Sequence, residues 1–171
     1  MAEEQDKKQS NNLATEEAKD TISTNVSQKF AIQKIYIKNV SLESPNAPEI
    51  FLQEFKPELN VDLNIEYKLL EEGLFNVEIR VTATTKVEGK VAFLCEVEQA
   101  GIFVLSGFDE AYLQYMLAAH CPNVLFPYAR EVVSGLVDKA GFPQLLLEPV
   151  NFDAMYANRM QEARQQAQPQ Q

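Results

Sequence analysis

At 171 residues the chain is long enough for one domain with a real core. Its 25 acidic and 15 basic side chains give a formal net charge of −10 and argue against a nucleic-acid partner, which needs Lys and Arg stripes to neutralise phosphates. One His and two Cys leave little for a zinc cage, a disulfide scaffold or a His-based triad, and no apolar run is long enough for direct membrane insertion.

Residues 1–27 contain no aromatic, and acids outnumber bases six to three. A segment this polar cannot bury enough apolar surface to offset its ordering entropy, so it reads as a disordered arm. It also lacks the basic start and apolar stretch of a secretory signal, which places the chain in the cytoplasm, with Cys95 and Cys121 as free thiols. The aromatic residues all lie between Phe30 and Tyr156, and this interval marks the folded domain, taken as residues 28–158.

Phe30 to Leu42 is strand-like, with apolar residues in both phases. The linker Ser44 to Pro57 carries three prolines, which predict an extended chain, yet it also holds Ile50, Phe51, Leu52 and Phe55. Residues 58–69 then alternate without a break: Leu59, Val61, Leu63, Ile65, Tyr67 and Leu69 face a core, and Glu58, Asn60, Asp62, Asn64, Glu66 and Lys68 face water. A turn at Gly73 leads to Phe75, Val77, Ile79, Val81 and Ala83 in the inward phase. After Glu88-Gly89 a further run keeps Val91, Phe93, Cys95 and Val97 inward, with Leu94, Glu96 and Glu98 outward. These four strands predict a meander-like antiparallel sheet. Its wet face should gather Glu58, Asp62, Glu66, Glu78, Glu96 and Glu98, offset by Lys68 and Arg80, with apolar Leu94 among them.

From Asp109 the period becomes helical, and Pro122 calls for a break or kink. A second helical stretch runs from Tyr128 to Val137, and Gly141 is placed to stop it. The loop Phe142 to Val150 is very apolar for a connector, and Asn151 is the N-cap of a last helix. Residues 159–171, rich in Gln, read as a flexible tail. Strands first and helices afterwards predict an α+β fold: a four-stranded antiparallel sheet with C-terminal helices on one face and disordered ends.

Catalysis has no support in these patterns. His120 and Cys121 are adjacent on a helix and project about 100° apart, and the inward strand positions carry no acid. No P-loop, dinucleotide turn or nucleophile elbow is present. The apolar linker and the Phe142 to Val150 loop need something to pack on, whether each other, another subunit or a ligand.

The segment His120-Cys121-Pro122-Asn123-Val124-Leu125-Phe126-Pro127-Tyr128-Ala129-Arg130-Glu131 resembles the hallmark of the SecB protein-export chaperone family. Gly141-Phe142-Pro143-Gln144-Leu145, Pro149-Val150-Asn151-Phe152-Asp153-Ala154, Ser44-Pro45-Asn46-Ala47-Pro48 and Phe93-Leu94-Cys95-Glu96-Val97 fit the same family. The resemblance implies an ATP-independent holdase without enzymatic activity or cofactor, assembled as a homotetramer (a dimer of dimers). It would bind unfolded preproteins and deliver them to the SecA motor ATPase. By segment it places client binding at Phe51, Leu52, Phe55, Phe142, Leu145 and Leu147, and SecA binding at Glu43, Leu94 and Glu96. Two departures stand out: Asn39 where the family has an acid, and Ala100 before Gly101, at the expected end of a strand, where two glycines are expected. The N-terminal arm is longer than the family leads one to expect. The alternative reading is a small α+β ligand-binding protein or isomerase with a pocket between sheet and helices.

Overall fold

The computed structural model describes residues 27–166. The expected arm therefore lies outside the described residues except for Ser27, as does the end of the tail. Four strands, β1 (Lys29–Glu43), β2 (Pro57–Glu71), β3 (Leu74–Val87) and β4 (Lys90–Ser106), form one antiparallel sheet in the order β1-β4-β3-β2. Strands β2, β3 and β4 are joined by hairpins, whereas β1 pairs with β4 at the far edge. The meander expectation thus fails at its first link: residues 44–56 cross from one edge of the sheet to the other, as in a Greek key. The hairpin between β3 and β4 turns at Glu88 and Gly89, both with positive φ (48° and 77°), the backbone that suits the right-handed twist of the strands.

Two β-bulges explain why β1 shows apolar residues in both phases. The register with β4 shifts between Ile32 and Lys34 and again between Ile37 and Asn39. Each shift moves the side-chain alternation by one residue, so Phe30 and Ile32, then Ile35 and Ile37, then Val40 and Leu42 all share the face of Phe103, Val97 and Cys95. Strand β4 also runs well past Val97, and Ala100 and Gly101 sit inside it rather than at its end. A Cβ on Gly101 would lie 2.7 Å from the Phe103 ring and 3.0 Å from Leu125, so only glycine lets the helix approach the sheet there.

Asp109 caps α1 (Glu110–Tyr115) by accepting the Tyr112 N–H at 2.8 Å. The chain does not leave the helix at Pro122. A π-helical stretch over Met116–His120 leads directly into α2 (Cys121–Lys139), with Pro122 in its first turn, where a missing N–H costs least. Gly141 (φ 87°) ends α2 in a Schellman arrangement, with Gly141 N–H on Asp138 O and Phe142 N–H on Val137 O. Asn151 Oδ1 accepts the Ala154 N–H at 2.9 Å and opens α3 (Phe152–Gln166). This helix continues past the Asn158 boundary expected for the folded part, with its last turns exposed.

Helix α2 lies over β3 and β4. Val77, Ile79, Val81, Cys95, Val97, Leu125, Ala129 and Val133 are all fully buried between them. The α+β expectation holds, and the interior between the sheet's centre and α2 is filled with side chains. The apolar rows of the two edge strands lie beyond the helix: Leu59, Val61, Tyr67 and Leu69 on β2, and Phe30, Ile32, Ile37 and Val40 on β1, are exposed. The alternation of β2 correctly gave its face, but not the reach of the cover.

Candidate functional site: an apolar groove and an acidic sheet face

The crossover and the α2–α3 loop meet on the helix side of the sheet. The crossover is not extended as expected; it holds a 3-10 turn at Glu49–Leu52 that buries Ile50 and turns Phe51 and Leu52 outward. The Phe142 ring lies 4.9 Å from Phe51, 5.0 Å from Phe93 and 6.1 Å from Phe55. Four aromatic side chains from three segments therefore form one cluster, with Phe142 buried at its centre. Leu52, 89% exposed, projects from its rim.

Beside it, the exposed row of β2 and the α2–α3 loop enclose a groove of about 550 Å³, with Leu59, Val61 and Leu63 on one wall and Leu146, Leu147 and Val150 on the other. Arg130 Nη1 lies 3.5 Å from the Leu147 carbonyl, behind the loop. Of the residues expected at a client site, Phe51, Phe55 and Phe142 come together and Leu147 lines the groove, while Leu145 packs partly buried against the core. Leu146, 71% exposed, was missed, as were Leu59 and Val61, whose strand phase had marked them as core. A loop of three consecutive leucines must present one of them to solvent; this was the available signal.

The opposite face of the sheet is polar. Glu43 pairs with Leu94 and Ser41 with Glu96 across β1 and β4, so Glu43, Leu94 and Glu96 are neighbours on one face, as expected. Thr82 Oγ1 donates to Glu96 Oε2 at 3.3 Å, and neither Glu43 nor Glu96 has an ion-pair partner among the described residues. The rest of the acidic face is different from the expectation. Lys38, the extra residue of the second bulge, donates to Glu78 Oε2 at 2.6 Å and approaches Glu98 Oε2 at 3.9 Å. Arg80 Nε donates to Glu98 Oε1 at 2.8 Å, and Glu98 is buried. The hydrogen bond to Glu78 holds the Lys38 ammonium above the usual lysine range, with Glu98 and Glu66 adding to it against some desolvation. Lys38 rather than Lys68 thus joins Arg80 in neutralising this quarter of the face. Asn39, opposite Glu98, borders that neutralised quarter.

Neither Cys nor His forms reactive chemistry. Burial pushes the thiol of Cys95 up to about 11 and that of Cys121 up to about 12, so both stay protonated near neutral pH. His120 stands edge-on to Phe30, with ring centroids 4.9 Å apart. No group of three or more His, Cys, Asp or Glu suited to a metal occurs among the described residues, and none of their helices is long and apolar enough to cross a membrane.

A sheet with an apolar groove on one face and an unpaired acidic cluster on the other defines a polypeptide-binding α+β protein. The family model described as "Preprotein translocase subunit SecB" matches residues 23–163, and the chain belongs to the SecB family of protein-export chaperones. It is 64% identical to the protein-export protein SecB of Hydrogenovibrio crunogenus over 137 residues, covering 80% of this chain and 92% of that one. The protein-export protein SecB of Idiomarina loihiensis is 50% identical, with 100% of this chain and 98% of that protein aligned. A relative therefore has a chain of comparable length, including the part that seemed long for the family. The fold is also that of the SecB-like chaperone of Mycobacterium tuberculosis, solved in complex with a ChAD peptide from an antitoxin: TM-score 0.60, 20% identity, covering 71% of this chain and 90% of that one.

Proposed function

We propose that this chain is an ATP-independent holdase that keeps preproteins unfolded and hands them to SecA. The observation that carries the reading is the separation of two unlike surfaces by a single sheet. Phe93 anchors the aromatic cluster on one side, and the next residue, Leu94, sits with Glu43 and Glu96 on the other. An apolar groove selects side chains without sequence fidelity, which suits clients that share only their unfolded state. Leu52 and Leu146 offer contact area, and Phe51, Phe55, Phe142, Leu145 and Leu147 form the support beneath and beside them. Acids without internal partners suit a cationic docking segment, and Glu43, Leu94 and Glu96 receive SecA.

The working form is a cytoplasmic homotetramer, a dimer of dimers. Its support is the uncovered apolar row of β1, Phe30, Ile32, Ile37 and Val40, on an edge strand that a second copy would cover. Several grooves on one assembly raise avidity for a long client through effective concentration. The test is suppression of aggregation without nucleotide: the protein is expected to keep a denatured preprotein in solution and to ignore its native form. Equal binding of native and denatured chains, or saturation by a small molecule at one site per subunit, would replace this reading with the ligand-binding alternative.

A further inference from the structure

The groove between β2 and the α2–α3 loop is apolar except at one residue. Glu148 is the only ionisable side chain among those that line it, and it is exposed. The acids of β2 do not contribute, because Asp62 pairs with Thr82 and alternates onto the opposite face of the sheet. Glu148 has no ion-pair partner among the described residues. Its backbone is fixed on one side by the buried Leu147, whose carbonyl lies within reach of Arg130, and on the other by Pro149.

We infer that Glu148 is a specificity-determining residue of the groove, favouring extended client segments whose apolar side chains are flanked by Lys or Arg over segments flanked by Asp or Glu. This rests on the holdase reading, since it names what that groove prefers. A solvated rim charge adds little affinity to a bound apolar segment, but it attracts an opposite charge at encounter and repels a like one. A carboxylate on the rim therefore sorts clients that the apolar walls treat alike. An exposed charge pair is worth about a two- to fivefold difference in affinity, which salt diminishes.

The experiment uses the full chain and three peptides of one apolar extended sequence, carrying Lys, Gln or Glu at both ends, followed by fluorescence anisotropy. Wild type is expected to bind all three in the order Lys, Gln, Glu, each step about two- to fivefold at low salt, with the steps shrinking at high salt. Glu148→Gln should abolish the steps and leave the Gln peptide's affinity unchanged. Glu72→Gln, the same charge change in the turn at the far end of β2, should keep them. Equal binding of the three peptides by wild type, steps that persist in Glu148→Gln, or equal loss of the steps in Glu72→Gln would overturn the role of Glu148 while leaving the groove in place. Failure of wild type to bind the Gln peptide, or undiminished binding of it by Leu59→Ser, would overturn the groove itself.

Discussion

Serine at both Leu52 and Leu146 is expected to weaken retention of a denatured preprotein about tenfold or more while leaving the thermal stability of the fold nearly unchanged. Both side chains stand in water, at 89% and 71% exposure, so their removal takes nothing from the core. Burying a leucine on a client is worth about 1.5–3 kcal/mol, and two such losses exceed a factor of ten even when the gain is only partly realised. Phe142 is the wrong probe, although sequence placed it at the client site. It is buried and contacts Phe51, Phe55 and Phe93, so Phe142→Ser would cost about 3 kcal/mol or more of stability and confound any binding result. Retention that survives in the Leu52→Ser, Leu146→Ser chain, measured by client dissociation at constant protein concentration, would remove the groove from the account.

Charge reversal at Glu96 should have the opposite signature. Glu96→Lys places a cation where the partner's cation docks, and like-charge contact at an interface costs several kcal/mol, so SecA affinity should fall at least about tenfold. The only hydrogen bond lost is that from Thr82, at 3.3 Å, so the sheet has little reason to change. Client retention should stay at the wild-type level. Glu98→Gln is a poor substitute for this experiment, because Glu98 is buried with Arg80 and its loss leaves a cation uncompensated. Titration calorimetry of SecA with the two chains reads the difference directly.

Local chemistry was legible wherever one segment determined its own structure. The alternation of residues 58–69, the caps at Asp109 and Asn151 and the stop at Gly141 all appear as read. What pairing and tertiary cover determine was not legible. The position of β1 beside β4 depends on a crossover whose prolines fold into a 3-10 turn instead of extending, and the phase of β1 was hidden by two bulges. Lys38 could not be recognised as the partner of Glu78, since the bulge that re-aims it leaves no mark in periodicity. At the candidate site, segment-level assignment reached the right loops, but alternation and apolarity cannot tell the supporting Phe142 from the presenting Leu146. Residue 122 shows the same limit: proline forbids an ordinary turn before it, and the chain meets that demand with a π stretch rather than a break.

The separation of client and motor surfaces is tested most directly by co-sedimentation of this protein with a labelled denatured preprotein and SecA in the absence of nucleotide. The account predicts a ternary complex, in which saturating preprotein leaves SecA affinity unchanged and Glu96→Lys retains preprotein alone. Displacement of SecA by preprotein, or loss of both partners from Glu96→Lys, would contradict it.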